Sequence, residues 1–246
     1  MQIFALTKYI ISIVCIMFKL RKNLAPSGFS LVELLVVVVV LGLLAGMAFP
    51  AIQSSMGKAK LSQDLSNLRQ IGQGVLLYAG ENQGNFPPTS CLGEPSWIGA
   101  LRPYLGESYD RIRLSALDPN RESRKTAGGT SYLLNDEVDI MYDRSGNPRP
   151  GQLQNQLRMS DASKRLLLFP ASRSKPAGED HIHSASMSRW HSLLGEINPD
   201  SSGPVSGNRD AGSSGYLFAD GHAEILSARS LKARVDGGLN IAKSPL

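Results

Sequence analysis

The stretch that decides the fold is "PSGFSLVELLVVVVVLGLLAGMAFP", residues 26–50. The 22 residues from 29 to 50 would form about 33 Å of helix, which matches a hydrocarbon core of about 30 Å. The one charged residue among them is Glu33. A charge in hydrocarbon costs about 2.5–3.5 kcal/mol, and a plain anchor helix gains nothing from it. Glu33 therefore predicts a partner for its carboxylate.

The basic residues of the chain are concentrated before this stretch. Residues 1–28 hold four lysines and arginines and no acid, so they contribute +4 of the net charge of +5 and leave +1 for the rest of the chain. The remaining chain has no basic excess, and this argues against nucleic-acid binding. The cluster Lys19, Arg21 and Lys22 lies on the N-terminal side of the apolar stretch, which predicts that the N-terminus is cytoplasmic and the C-terminus lies outside.

A second apolar run, residues 9–18, is too short to span a bilayer. It also precedes the basic cluster, whereas a secretory signal carries its positive residues first. Our hypothesis is that translation starts at Met17, which would produce a short basic leader.

Apolar residues continue past Pro50 at steps of three or four, the spacing of one helical face; they are Ile52, Met56, Leu61, Leu65, Leu68, Ile71, Val75 and Tyr78. Gly80, Asn82 and Gly84 mark the predicted end. The pattern predicts one helix of about fifty residues, transmembrane in its first half and amphipathic in its second. Pro50 should kink it, because proline removes a backbone hydrogen bond.

The remaining chain predicts short elements bounded by turn residues. "SWIGALRPYLG" indicates a short helix or turn that buries Trp97, Leu101 and Tyr104. "TSYLLN", "KRLLLFPAS" and "SGYLFADGHAEIL" indicate strands. Asp220-Gly221 predicts a type I′ hairpin, with Phe218 opposite Ala223 and Tyr216 opposite Ile225. Residues 195–215, rich in serine and glycine, indicate a long exposed loop.

The hexapeptide Gly28-Phe29-Ser30-Leu31-Val32-Glu33 before an apolar helix resembles the processing site of type IV prepilins and type II secretion pseudopilins, and Pro50 falls where those proteins commonly have a helix proline. The resemblance implies cleavage between Gly28 and Phe29 by a prepilin peptidase, N-methylation of Phe29, and pairing of Glu33 with the Phe29 ammonium of a neighbouring subunit. It also implies an α+β, pilin-like fold with a long N-terminal helix on a small antiparallel sheet.

These expectations divide the chain into a leader (1–28), a transmembrane and assembly helix (29–50), its amphipathic continuation (51–80) and a head (81–246). The expected function is a subunit of a type II secretion pseudopilus or a type IV pilus-like filament in the inner membrane. Its expected partners are itself, other pilin-like subunits, the prepilin peptidase and methyltransferase, and the inner-membrane secretion platform. The alternative is a minor, tip-located binding or adhesion module that uses the loop at 195–215.

A second resemblance covers patches of residues 29–226, which are similar to prepilin-type proteins with a C-terminal His…Asp-Gly motif. It rests on "NLRQIGQGVLLYAGENQGNFPP", "TSYLLN", "RWH" and "YLFADGHAEI". The family typically has nine residues between the histidine and the Asp-Gly pair. Here His191 and Asp220 are separated by 28 residues, so this chain departs from the spacing of the family motif.

Metal binding is the remaining chemical possibility. Asp210 and Asp220 are our calcium candidates, since some pseudopilin heads hold calcium in C-terminal loops through carboxylates and carbonyls. His181 and His183 would share one face of a strand, a conceivable zinc pair, but their serine-rich surroundings favour a solvated loop. Cys91 has only Cys15 as a counterpart, and Cys15 lies in the leader. No catalytic motif is evident, so we expect no enzyme and no cofactor.

Overall fold

The structure of the protein is a computed structural model. It describes residues 31–88, 96–138, 140–142, 148–150, 155–203 and 209–246. Gly28, Phe29, Cys15 and Cys91 lie outside these residues. The chain divides into two compact units, residues 1–53 and residues 54–246, and each is described by itself.

The first helix, α1, spans Leu31–Glu81. Its end at Glu81 agrees with the predicted end near Gly80, and the helix continues through Pro50. The kink at Pro50 stays a prediction. The other helices are α2 (Trp97–Ala100), α3 (Arg102–Leu105), α4 (Tyr109–Ile112), α5 (Arg121–Thr126), α6 (Trp190–Glu196) and α7 (Ala228–Asp236).

The strands form an antiparallel sheet and a separate short ribbon. The four-stranded sheet has the order β1 (Tyr132–Leu134), β4 (Leu166–Pro170), β5 (Ser213–Phe218) and β6 (Ala223–Ser227). The ribbon pairs β2 (Ile140–Tyr142) with β3 (Pro148–Pro150). All four strands of the sheet fall in the three sequence runs predicted to be strands. Helices together with an antiparallel sheet confirm the α+β class.

The register of the β5–β6 hairpin differs from the predicted one by one residue. Leu217 pairs with Ala223 and Tyr216 with Glu224, so the predicted Phe218–Ala223 and Tyr216–Ile225 pairs are wrong. Asp220 has no positive φ, whereas Gly221 has φ +89°, and a type I′ turn needs positive φ at both central residues. The loop has three residues, because Phe218 N donates to His222 O across it. A glycine in left-handed conformation at its end is typical of such a loop.

Strands β1, β4 and β5 are buried on both faces of the sheet, whereas β6 is partly exposed. On one face, Leu134, Leu168 and Leu217 pack with the α1 residues Leu68, Ile71 and Val75. On the other face, a second core joins strand residues with side chains of α6 and α7; its members include Leu133, Phe169, Tyr216, Phe218, Leu193, Leu231 and Val235. The cover on both faces explains why β1 and β4 carry continuous apolar runs instead of alternating ones.

Two glycines let α1 approach the sheet closely. A Cβ on Gly72 would lie 2.6 Å from Gly221 O, and one on Gly215 would lie 2.7 Å from Leu68 Cδ1. Beside them, the buried Tyr132 hydroxyl donates to Asp64 Oδ1 at 2.6 Å. Helix and sheet are therefore joined by a polar contact within an apolar interface.

The predicted exposed loop at 195–215 is wrong in part. Ile197, Asn198 and Asp200 are buried, and Ser213 already belongs to β5. Residues 204–208 lie outside the described chain. The main chain explains the burial, because Asn198 N donates to Pro170 O and Ser202 N to Ser213 O.

Among the residues that the structure describes, no helix has the length and apolar character needed to cross a membrane.

Candidate functional sites

The first candidate site is the beginning of α1. Glu33 lies in its first turn and is half-buried. A carboxylate there is favourable, because the N-terminal end of a helix carries partial positive charge. The predicted cleavage junction at Gly28 and Phe29 lies outside the described residues, so the pairing of Glu33 with Phe29 stays a prediction.

The residues that follow present an exposed apolar surface. Ten large apolar side chains are each at least 46% exposed; they are Leu31, Val32, Leu34, Leu35, Val37, Val38, Val39, Leu41, Leu43 and Leu44. We call residues 31–46 the apolar segment. Contiguous exposed apolar surface of this extent marks contact with a membrane or with other protein surfaces.

The histidine and the Asp-Gly pair of the second resemblance have different surroundings in the structure. His191 lies exposed in α6, whereas Asp220 lies in the hairpin loop. The histidine that contacts Asp220 is His222, whose Nδ1 lies 2.6 Å from Asp220 Oδ1. The His222 ring also stacks on Phe218 at 4.2 Å. Asp220 therefore shapes the hairpin loop together with His222.

The calcium candidates occupy separate structural contexts. Asp210 is half-buried just before β5, and Asp220 is in the hairpin loop. A third aspartate, Asp200, is 6% exposed, and within the described residues neither of its carboxylate oxygens has a hydrogen-bond partner. Calcium at Asp210 and Asp220 stays a prediction.

Among the residues that the structure describes, a group of charged and ligating side chains surrounds Lys175, which is 7% exposed. Its ammonium contacts Glu179 Oε1, and it lies 2.7 Å from Glu196 Oε2 and 3.2 Å from His183 Nδ1. His183 Nδ1 is in turn 3.3 Å from Glu196 Oε1 and 3.7 Å from Glu179 Oε1. These residues, together with His181, are called the Lys175 cluster.

Three segments bring the cluster together. Residues 179–183 run beside β1, because Leu134 N donates to Asp180 O and Ile182 N donates to Leu134 O. In extended chain, alternate residues share a side, so Glu179, His181 and His183 lie together while Ile182 enters the core. Glu196 comes from the end of α6, and Lys175 follows β4.

His181 is held by its neighbour Asp180, whose Oδ1 lies 3.1 Å from His181 Nδ1. Burial lowers the pKa of His181, but the hydrogen bond and charge of Asp180, together with the charge of Glu179, outweigh burial and raise the pKa above its usual value. The rings of His181 and His183 are 5.3 Å apart. The predicted solvated loop is therefore wrong for His181, which is 3% exposed.

The carboxylate of Glu196 is stabilised in its ionised form. Burial opposes its ionisation, but the hydrogen bonds from Lys175 and from the backbone N–H of His183, and the charge of Lys175, lower its pKa below the usual value. Glu196 thereby links the end of α6 to the loop that carries the histidines.

Sequence reasoning identified two members of the Lys175 cluster, His181 and His183, and missed Lys175, Glu179 and Glu196. The alternation Glu179-x-His181-x-His183 could have added Glu179, since all three residues share a side in extended chain. Glu196 and Lys175 carry no such signal, because they join the cluster only through the fold. The ligand atoms of Glu179, His181 and His183 lie within 4.8 Å of one another.

Comparison with known families supports the interpretation of the N-terminal motif. A family model described as the prokaryotic N-terminal methylation motif matches residues 25–49. The match includes the predicted cleavage junction, Glu33 and the whole apolar segment. It supports a type IV pilin-like protein. Neither the curated proteins nor the solved structures compared with the chain produced a match.

Proposed function

We propose that the protein is a structural subunit of a type II secretion pseudopilus or a related type IV pilus-like filament. The observation that carries the proposal is the methylation motif at residues 25–49, which coincides with the exposed apolar segment. In this proposal, prepilin peptidase cleaves between Gly28 and Phe29, and the new Phe29 amine is methylated. The proposal assigns the protein no catalytic activity.

The apolar segment has two successive environments in this mechanism. Residues 29–50 first reside in the inner membrane, with the N-terminus cytoplasmic and the head periplasmic. During assembly the helix leaves the lipid and packs against helices of other subunits. Loss of lipid contacts must be offset by helix–helix contacts, because lipid tails are as apolar as leucine.

Glu33 would set the register of assembly. Its charge is costly in hydrocarbon unless an opposite charge is near, and the Phe29 ammonium of a neighbouring subunit supplies one. A buried ion pair that specifies register is the best-attested use of such pairs.

The decisive experiment compares Glu33→Ala with Glu122→Ala, which removes an exposed carboxylate of α5. Processed protein and sheared filaments are quantified separately. We expect Glu33→Ala to be cleaved normally but to be depleted from filaments, and Glu122→Ala to behave as wild type. Normal filament entry of Glu33→Ala would refute the register role.

The cleavage junction has its own test. Gly28→Ala should block processing and leave full-length precursor in the membrane fraction, because the added side chain obstructs the peptidase. N-terminal sequencing of wild type should begin at Phe29. Processing of Gly28→Ala at the same junction would contradict the proposed site.

The tip-located alternative depended on an exposed loop at 195–215. Burial of Ile197 and Asp200, and the strand that begins at Ser213, reduce the surface that such a loop could offer. Immunogold labelling along the whole filament would favour the structural subunit, whereas labelling at the end alone would favour the tip module.

A further inference from the structure

We propose that Glu179, His181 and His183, with Glu196, form a binding site for a divalent transition-metal ion of the zinc class, for which the ammonium of Lys175 competes. The site lies in the head, in the Lys175 cluster, and is independent of the filament function.

The first argument is the donor set. Two imidazoles and two carboxylates are the nitrogen and oxygen ligands that zinc takes in proteins. Calcium prefers an all-oxygen shell, so the two histidines favour a transition metal over calcium.

The second argument is the spacing of the ligand atoms. With zinc–ligand bonds of about 2.0–2.1 Å, neighbouring ligand atoms of a tetrahedral site are about 3.3–3.4 Å apart. His183 Nδ1 lies 3.3 Å from Glu196 Oε1 and 3.7 Å from Glu179 Oε1. These two edges approach the tetrahedral value, and the ligand atoms of Glu179, His181 and His183 all lie within 4.8 Å of one another.

The third argument is the support of His181. Its Nδ1 faces the Asp180 carboxylate at 3.1 Å, which in the neutral ring favours the proton on Nδ1 and the lone pair on Nε2. Metal-binding histidines are commonly oriented in this way by a carboxylate. His181 is 3% exposed, so packing also holds its ring.

Lys175 explains how the cluster is stable without a metal. Its ammonium contacts Glu179, Glu196 and His183, three of the four proposed ligands, and so supplies the positive charge that a metal ion would otherwise supply. A lysine side chain is a flexible stem with a compact charge, and it can withdraw when a divalent ion enters. The observed affinity is then set by competition between two cations for one set of donors.

The experiment uses the full chain in mild detergent after treatment with a chelator. Cobalt(II) is titrated and followed by its visible absorption, which is intense for tetrahedral coordination, and zinc is then titrated against a chromophoric chelator. We expect one ion per chain. His183→Gln and Glu179→Gln should each weaken binding at least about tenfold. His191→Gln and His222→Gln, which change histidines outside the cluster, should bind as wild type.

The sharpest variant is Lys175→Met, which keeps most of the side-chain volume and removes the competing charge. It should bind zinc more tightly than wild type, by about tenfold or more. Far-UV circular dichroism and tryptophan fluorescence verify that each variant is folded. The proposal is overturned if folded wild type and folded Lys175→Met both fail to bind, or if His183→Gln binds as wild type. Equal zinc affinity of wild type and Lys175→Met would refute the proposed competition between Lys175 and the metal ion.

Discussion

The two parts of helix α1 use apolar side chains in opposite ways. Between residues 31 and 44, most of the large apolar side chains are exposed. Between residues 68 and 79, Leu68, Ile71, Val75 and Ala79 follow one face and are at most 1% exposed. One helix therefore combines a surface that needs contacts outside its own fold with a face that completes the core of the head. The following predictions test this difference, from the largest expected effect to the smallest.

Truncation of a leucine in α1 should destabilise the head only when that leucine lies in the second part of the helix. Leu68→Ala removes a fully buried side chain and should lower the free energy of unfolding by about 2–5 kcal/mol. Leu35→Ala, at a position that is 58% exposed, should change it by less than about 0.5 kcal/mol. Urea denaturation in detergent, followed by the fluorescence of the buried Trp97, measures both values. Equal losses of stability in the two variants would refute the difference between the two parts of α1.

Glycine-to-alanine substitutions should change the stability of the protein in different directions, and by different amounts, in the two parts of α1. A Cβ on Gly72 would lie 2.6 Å from Gly221 O, whereas one on Gly46 would meet nothing within 4 Å. Gly72→Ala should therefore cost about 1–3 kcal/mol of stability through overpacking. Gly46→Ala should be neutral or slightly stabilising, since alanine favours helix over glycine. Thermal unfolding of both variants is the measurement, and a stable Gly72→Ala would contradict the close approach.

The buried Asp64 of α1 should make stability depend on pH. Burial raises the pKa of Asp64 above its usual value, although hydrogen bonds from Ser115 and Tyr132 oppose the rise. The folded state then binds a proton that the unfolded state has released, between pH about 4 and the raised pKa. The contribution of Asp64 to the free energy of unfolding is therefore present at low pH and is lost as the pH rises through that window.

The measurement for Asp64 is the difference between wild type and Asp64→Asn, because other carboxyl groups also titrate. Wild type should lose stability relative to Asp64→Asn as pH rises from about 4 towards neutrality, by about 1.4 kcal/mol for each unit of pKa shift. A difference that is constant with pH would show that Asp64 is not protonated preferentially in the folded state.

The smallest predicted effect compares the hydroxyls of two buried tyrosines, one on each face of the sheet. Tyr132 donates to Asp64, whereas within the described residues the Tyr216 hydroxyl has no hydrogen-bond partner. Tyr216→Phe should leave stability unchanged or raise it by about 1 kcal/mol, and Tyr132→Phe should lower it by about 1–3 kcal/mol. Urea denaturation of both variants would settle the comparison, and a loss in Tyr216→Phe would reveal a partner for its hydroxyl.

Local patterns in the sequence predicted α1 and the strands of the four-stranded sheet, but they did not predict helices α4 to α7 or the β2–β3 ribbon. The spacing of three and four identified the helical continuation of α1, and the apolar runs bounded by turn residues identified the strands. The hairpin register was wrong because a two-residue and a three-residue loop both suit Asp220-Gly221. The observed register pairs Leu217 with Ala223, and both side chains pack in the core that includes α1.

The candidate sites also differ in whether the sequence alone could identify them. By itself the sequence determined the N-terminal motif and the apolar segment, because both are continuous in the chain and depend on local chemistry. Only the tertiary structure decided which carboxylate accompanies which cation in the head. Glu196 is thirteen residues from His183 and meets it through the end of α6, and Lys175 meets both through the turn after β4. Such contacts depend on how distant segments are packed, and residue spacing along the chain does not encode them.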